Sequence, residues 1–275
     1  MNRPEEPAKL ILPPPPPPPP PAAPLFCKAV SMVTPSDASI KDTDPKEEIR
    51  QSIKRFVKCG LVALCMAANL LNGNNGTDLD VVFRHAQSLG YTCKGEMFSA
   101  TTMGMLCNEA HQIDCTVKKN GLRDKTMILN HLSAGLPMLV PYDADFNHEP
   151  CCKQGQKAHW AVITGFLLGT ADPISVGNHH CQQDEIIESL FHLPPKAVLL
   201  PSDVKCRQCY LFAKHGKSTH LQTWRYDAME NSNKQLTSLD PKIAKEIDNY
   251  LIPEGGIKAG LCNQIILLEQ STGCG

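Results

Sequence analysis

Cys59 stands at the head of Cys59-Gly-Leu-Val-Ala-Leu-Cys-Met-Ala-Ala-Asn-Leu-Leu71, a run apolar nearly all round and stopped by Asn72-Gly73. Such a run predicts a buried helix closed by a glycine C-cap. A thiol at a helix start meets N–H groups without helical partners and the positive end of the macrodipole. Both favour the thiolate, and can bring a cysteine pKa from about 8.5 toward 3.5–7.5. Lys58 is expected to add a positive charge nearby, and Gly60 to leave room beside the sulfur for a substrate backbone. The competing reading treats Cys59 as a small buried hydrophobe, as most free cysteines are. Cys65, between Leu64 and Met66, takes that reading.

A nucleophilic thiolate needs a base that can also act as an acid, most often histidine. Of the 10 histidines, His159 is placed best, because it opens the β-rich run His159-Trp-Ala-Val-Ile-Thr-Gly-Phe-Leu-Leu168. There a sheet can hold an imidazole at the edge of a cleft while Trp160 turns to the other face. Cys59 and His159 come in the order helix start, then strand start, as in papain-like proteases. The alternative is a satisfied core histidine. The remaining histidines lie in polar loops or pairs and read as surface residues.

No metal or cofactor site is expected. Cys206-Arg-Gln-Cys209 has C-x2-C spacing and His215 and His220 follow, but only five residues separate the pairs where a finger uses about 12. Walker A, G-x-G-x-x-G, G-x-S-x-G and H-E-x-x-H motifs are all missing from the sequence, which removes the main support for those enzyme classes.

The elements that must carry the pair read as helices first and strands later. Thr77-Asp-Leu-Asp80 opens a second helix that runs to Gly90. Ser99–Ala110 and Asp124–Ala134 predict a third and fourth, with strands over Ile113–Val117 and Met138–Pro141. Cys209–Lys214 and Thr219–Tyr226 flank a Gly216-Lys217 turn as a hairpin, and Gln264–Leu268 is the last strand. This order predicts α+β, with helices to one side of a mostly antiparallel sheet.

The 275 residues allow one large domain or two modest ones. Lysine and arginine total 27 against 28 acidic residues, a net charge of −1, which argues against coating nucleic acid or an anionic membrane. No run approaches the 18–20 or so apolar residues of a membrane helix, and the first residues do not resemble a secretory signal. With 13 cysteines, an odd number, thiols in a reducing, cytoplasmic setting are expected. Twelve of the 23 prolines fall in the first 24 residues. Pro13, Pro14, Pro15, Pro16, Pro17, Pro18, Pro19, Pro20 and Pro21 form an unbroken polyproline II rod, either a stiff spacer or a ligand for an aromatic groove. Cys27–Arg50 reads as mostly linker. The expected division is a disordered segment, 1–46, and a folded domain, 47–275.

Cys59-Gly-Leu-Val-Ala-Leu64, Lys94-Gly-Glu-Met-Phe-Ser99, the run from Pro141 to Pro150 and Lys157-Ala-His-Trp-Ala-Val162 together resemble the actin maturation protease family. The likeness continues through His215-Gly-Lys-Ser218, Ser232-Asn-Lys-Gln-Leu236 and Gly260-Leu-Cys262, so it covers roughly 57–270. It implies a papain-like, C39-type fold and a cytosolic cysteine aminopeptidase that removes the N-acetylated Met or Cys from new actin. The proline-rich start implies profilin as a second partner. Carried over by position, Cys59 matches the nucleophile and His159 the catalytic histidine. Asn147, Asp143, Asp227 and Gln222 are the candidates to orient the imidazole. One departure stands out. The family has Gly-Pro-Gln directly before its cysteine, an oxyanion donor, where this chain has Phe56-Val57-Lys58. Gln51 and Ile53 lie further upstream. A weakened enzyme is therefore expected, the alternative being an impaired member that serves as an adaptor between profilin and actin.

Overall fold

The computed structural model describes residues 25–30, 58–73, 78–170, 175–176, 179–202 and 208–270. The proline run, Gln51, Ile53, Phe56, Val57 and Cys206 lie outside them. Strand β1 (Leu25–Val30) is followed by helices α1 (Cys59–Asn72), α2 (Leu79–Ser88) and α3 (Ala100–His111). Next come β2 (Asp114–Lys119), α4 (Lys125–Ser133), β3 (Met138–Asp143) and the long β4 (Ala158–Thr170). Four short strands follow: β5 (Ser175–Val176), β6 (His179–His180), β7 (Gln182–Gln183) and β8 (Leu190–His192). The chain ends with β9 (Gln208–Lys214), β10 (Gln222–Arg225), α5 (Tyr226–Asn233), α6 (Pro241–Lys245), α7 (Gly256–Leu261) and β11 (Gln264–Glu269).

The helices start where side chains satisfy their free amides. Asp78 accepts from Asp80 N, Ser99 from Thr102 N and Asp124 from Met127 N, the N-cap preference of short acceptors. Gly73, at φ 73°, ends α1. The main sheet runs β2-β11-β3-β4-β1-β8-β7, with β9 on β4 and β10 on β9. Among the described pairs only β1–β8 is parallel. The fold is α+β with a mostly antiparallel sheet.

Two expectations change. Four of the six residues of β1, Cys27–Val30, fall in the segment read as linker and all six lie ahead of residue 47, yet they pair with β4 and β8. Phe and Val suit a strand, and the C-terminal half of β4 offers an edge to pair with. The helices also do not keep to one side. Leu61 and Leu64 of α1 pack with Met103, Leu106, Trp160, Val162 and Ile266 on one face. Ile128, Leu129 and Leu132 of α4 and Met229 of α5 pack with Tyr142, Ile163 and Phe166 on the other. Residues alternate between faces along β4, so Trp160 and Val162 serve the first core while Ala161 and Ile163 serve the second. Full burial of Leu61 and Leu64 contributes about 1.5–3 kcal/mol each. It fixes α1 across the sheet with Cys59 at the level of the β4 start.

Candidate active site

Cys59 is the first residue of α1, and His159 the second of β4. Both line a cavity of about 410 Å³ together with Met97, Phe98, Lys157 and Trp160. The strand order explains the meeting. β3 pairs along the start of β4, Tyr142 opposite His159, while β9 reaches back only to Val162. The N–H of Trp160 thereby turns to the Cys59 sulfur, and the amides of Gly60 and Cys59 bear on it as well. Trp160 packs in the core under α1 and α3 but also lines the cavity, and its indole donates to Met97 O at 2.8 Å, fixing the cavity wall.

The electrostatics differ from the expectation of a resting thiolate. Burial pushes the Cys59 thiol above its ordinary value of 9.0, and the Trp160 and Gly60 amides and the charge of Lys217 only partly offset it. Burial also holds His159 down to about 3, helped by His148, Lys217, His215 and Lys157. Desolvation opposes the charged form of each group and outweighs the helix-end effect here. Both shifts favour a neutral thiol beside a neutral imidazole. Alkylation of Cys59 by iodoacetamide should therefore keep rising with pH beyond 9, since the reactive thiolate forms only as pH passes the raised pKa. A rate already level between pH 5 and 7 would show a preformed ion pair instead.

Two roles given to the neighbours of Cys59 also change. The Lys58 ammonium turns away, pairing with Asp80 at 3.0 Å and lying 3.9 Å from the Phe83 ring centre; Lys217 supplies the charge that bears on the sulfur. Gly60 makes room for Met97 and Met103, which a Cβ would meet at 2.9 and 2.8 Å, rather than for substrate. Gly216 does bring a loop close, since a Cβ there would strike Val62 of α1 at 2.6 Å. That contact carries His215 and Lys217 over the start of α1. Cys65 is buried, its thiol raised to about 12 mainly by burial, and is inert core as read.

None of the four candidate orienting residues has a described bond to the imidazole. Asp143 is fully buried, but its carboxylate accepts from the amides of Lys153, Gly155 and Lys157 and from Gln235 Nε2. It organises the 151–157 loop that delivers His159. Asn147 is exposed, its amide bonded to Asp145. Asp227 pairs with Arg225 on the surface, and Gln222 donates to Ser218 Oγ and His220 O.

The histidines around His159 are ones that sequence reasoning left on the surface. His148 meets its ring edge-on at 5.2 Å between centroids, and Tyr142 lies at 6.3 Å. His215, only 4% exposed, lies 5.4 Å from His148 and stacks on Trp224. His148 reaches inward through a left-handed backbone, φ 63°, uncommon for a residue with a Cβ. The turn at Asp145 and the bond from Tyr142 Oη to His148 O hold it there. The signal available in the sequence was His215-Gly-Lys217 at the hairpin turn, directly after β9, the strand that pairs with β4.

The family motifs account for the scaffold of this region. Ser232 bonds the backbone of Asp143, and Asn233 donates to Pro141 O and Gln264 O. Among the described residues no cluster of three or more His, Cys, Asp or Glu is placed to hold a metal. No described helix is long and apolar enough to cross a membrane.

A family model described as actin maturation protease-like, C-terminal domain, matches residues 49–167. Curated relatives named actin maturation protease include one from Bos taurus, 44% identical over 223 residues, 79% of this chain and 63% of the relative. One from Homo sapiens is 42% identical over 78% of this chain and 62% of its own length. Another, from Xenopus tropicalis, is 42% identical over 79% of this chain and 70% of its own. The chain thus spans less than two thirds of the bovine and human proteins. No solved structure matches.

Proposed function

The chain belongs to the actin maturation protease family, and we propose that it is a cytoplasmic cysteine aminopeptidase that removes the N-acetylated Met or Cys from immature actin, with a papain-like arrangement of Cys59 and His159. The observation that supports this reading above the others is one cavity wall shared by a helix-start thiol and a strand-borne imidazole.

The neutral resting pair favours concerted chemistry. The Cys59 sulfur attacks the carbonyl of the acetylated residue as its proton passes to His159. The Cys59 and Gly60 amides at the helix start take the oxyanion. The imidazolium then protonates the departing amine of shortened actin, leaving a thioester. Water, deprotonated by His159, releases the acetyl-amino acid and restores the thiol. His148 is the ring best placed to steady the imidazole. Lys157 and Lys217 supply positive charge beside the departing, acidic chain. The test is an acetyl-Met-Asp peptide of actin type, with release of acetyl-Met followed by mass spectrometry.

The replacement of Gly-Pro-Gln by Phe56-Val57-Lys58 favours a second reading, an impaired member that bridges profilin and actin. Both readings give the Pro13–Pro21 run to profilin, since a proline run has little conformational entropy to lose on binding. Deleting Pro13–Pro21 should weaken capture of profilin on immobilised protein; equal capture by the shortened chain would remove profilin from either account.

A further inference from the structure

We propose that residues 239–251 form an end wall that limits the acyl side of the cleft to one residue, so that this strap, more than the catalytic pair, makes the site an exopeptidase's. The inference rests on the peptidase reading above and assigns its specificity to a segment.

The direction of the cleft follows from the chemistry. The amine must leave where the imidazole can protonate it, while the acyl part stays bonded to sulfur. Tyr142 beside His159 is fully buried, but His148, edge-on to the same ring and outside the cavity lining, is partly exposed, so the departing chain is assigned to the His148 side. The acyl part therefore occupies the cavity itself, between Met97 and Phe98 on one side and Gln156 to Ala158 on the other. Each further residue on the acyl side would need about 3.3–3.6 Å of open groove. Leu239, Ile243 and Tyr250 stand there instead.

The strap is built for this place and has no core of its own. Neither α6 nor the 3₁₀ turn Ile247–Asn249 buries a residue. Between 241 and 250, only Ile243 and Tyr250 are not exposed, and both face the cavity. The strap is fastened from across the cleft. The buried Glu96 carboxylate accepts from Leu251 N at 2.9 Å while also taking Thr92 Oγ1 and the amides of Cys93 and Lys94. Lys94 pairs with Glu246 at 3.5 Å and lies 4.8 Å from the Tyr250 ring centre. Gly260 of α7 closes against the Phe98 carbonyl so tightly that no Cβ fits. A segment whose half-buried side chains all line a cavity, and whose far end is tied through Glu246 and Leu251 to the 94–96 loop, closes that cavity.

The test compares two peptides, acetyl-Met-Asp and one with Ala-Ala inserted between the acetyl group and Met. It also compares two chloromethyl ketones, of acetyl-Met and acetyl-Ala-Ala-Met, which alkylate Cys59 with loss of chloride and report access without turnover. The wild-type chain should favour the single-residue form by about 100-fold or more in both assays, a discrimination that a steric block can supply. The double variant Ile243→Ala, Tyr250→Ala should narrow the ratio about tenfold or more. Glu96→Ala, which frees the Leu251 amide, should narrow it too, with faster hydrogen exchange at that amide as the sign that the strap has loosened. Equal use of both forms by the wild-type chain overturns the proposal. So does an unchanged ratio in folded variants. If no peptide is cleaved while labelling still discriminates, the peptidase reading falls and the end wall stands.

Discussion

Replacing Cys59 by alanine should abolish release of acetyl-Met, lowering kcat/KM by about 10⁴-fold or more, the scale lost when a nucleophile that acts as a unit with its base is removed. The substitution deletes one half-buried sulfur at the end of α1. The anchors of that helix, Leu61, Leu64 and Ala68, are untouched. Thermal unfolding should therefore stay close to that of the parent chain, and a large loss of activity would report chemistry. His159→Ala should cost about 10²–10⁴-fold, the range of general acid–base catalysis. The double variant should be no worse than Cys59→Ala alone, because a base has nothing to activate once the thiol is gone. Cleavage that persists in Cys59→Ala would exclude Cys59 as nucleophile and turn attention to Cys151, whose amide bonds Asp143 O at the start of the loop that delivers His159. A wild-type chain that binds actin yet releases no acetyl-Met would favour the adaptor reading.

What could be read from the sequence, and what could not, divides along physical lines. The run from Cys59 to Leu71 is apolar on every side and bounded by Gly73, so helix, burial and Cys59 at the start all follow from local composition. His159 at the opening of an apolar strand is legible for the same reason. The charge state of the pair was not, because it depends on how much protein surrounds the sulfur and the ring. A helix end contributes at most a modest fixed field, whereas the sheet and the 92–98 loop remove water from both groups. Orienting partners are harder still. Asp143 looks like a triad acid in sequence, one strand before His159, but register puts it opposite Ala158 and its carboxylate is consumed by the loop amides. His148 and His215 sit in polar loops, so local reading leaves them in water. They come inward only through a left-handed turn and a glycine pressed on Val62, neither of which has a periodic signature. The helices α5, α6 and α7, of eight, five and six residues, escaped because so few turns show no clear period, and α6 buries nothing at all, its role coming from what it closes.

Placing Gly-Pro-Gln in positions 56–58 should raise kcat by about 10²–10³-fold, the worth of one oxyanion donor, or roughly 2.7–4 kcal/mol of transition-state stabilisation. On the proposed mechanism the Cys59 and Gly60 amides stay at the helix start whatever precedes them, so the donor set would be depleted rather than empty. The structure also shows a cost. Lys58 is buried at 7% exposure, pairs with Asp80 and lies over Phe83. Asp80 is largely exposed and can return to water, so the pair itself contributes little. The cation over the ring adds about 0.5–1 kcal/mol. The triple substitution should therefore lower the melting temperature slightly while raising turnover, opposite signs that a general improvement in folding could not produce. Single-turnover kinetics at saturating enzyme isolates the chemical step. A faster chemical step in a slightly less stable protein assigns the deficit to the missing donor. An unchanged step would mean that the helix amides and the Trp160 N–H already meet the demand, and that Phe56-Val57-Lys58 is no lesion at all.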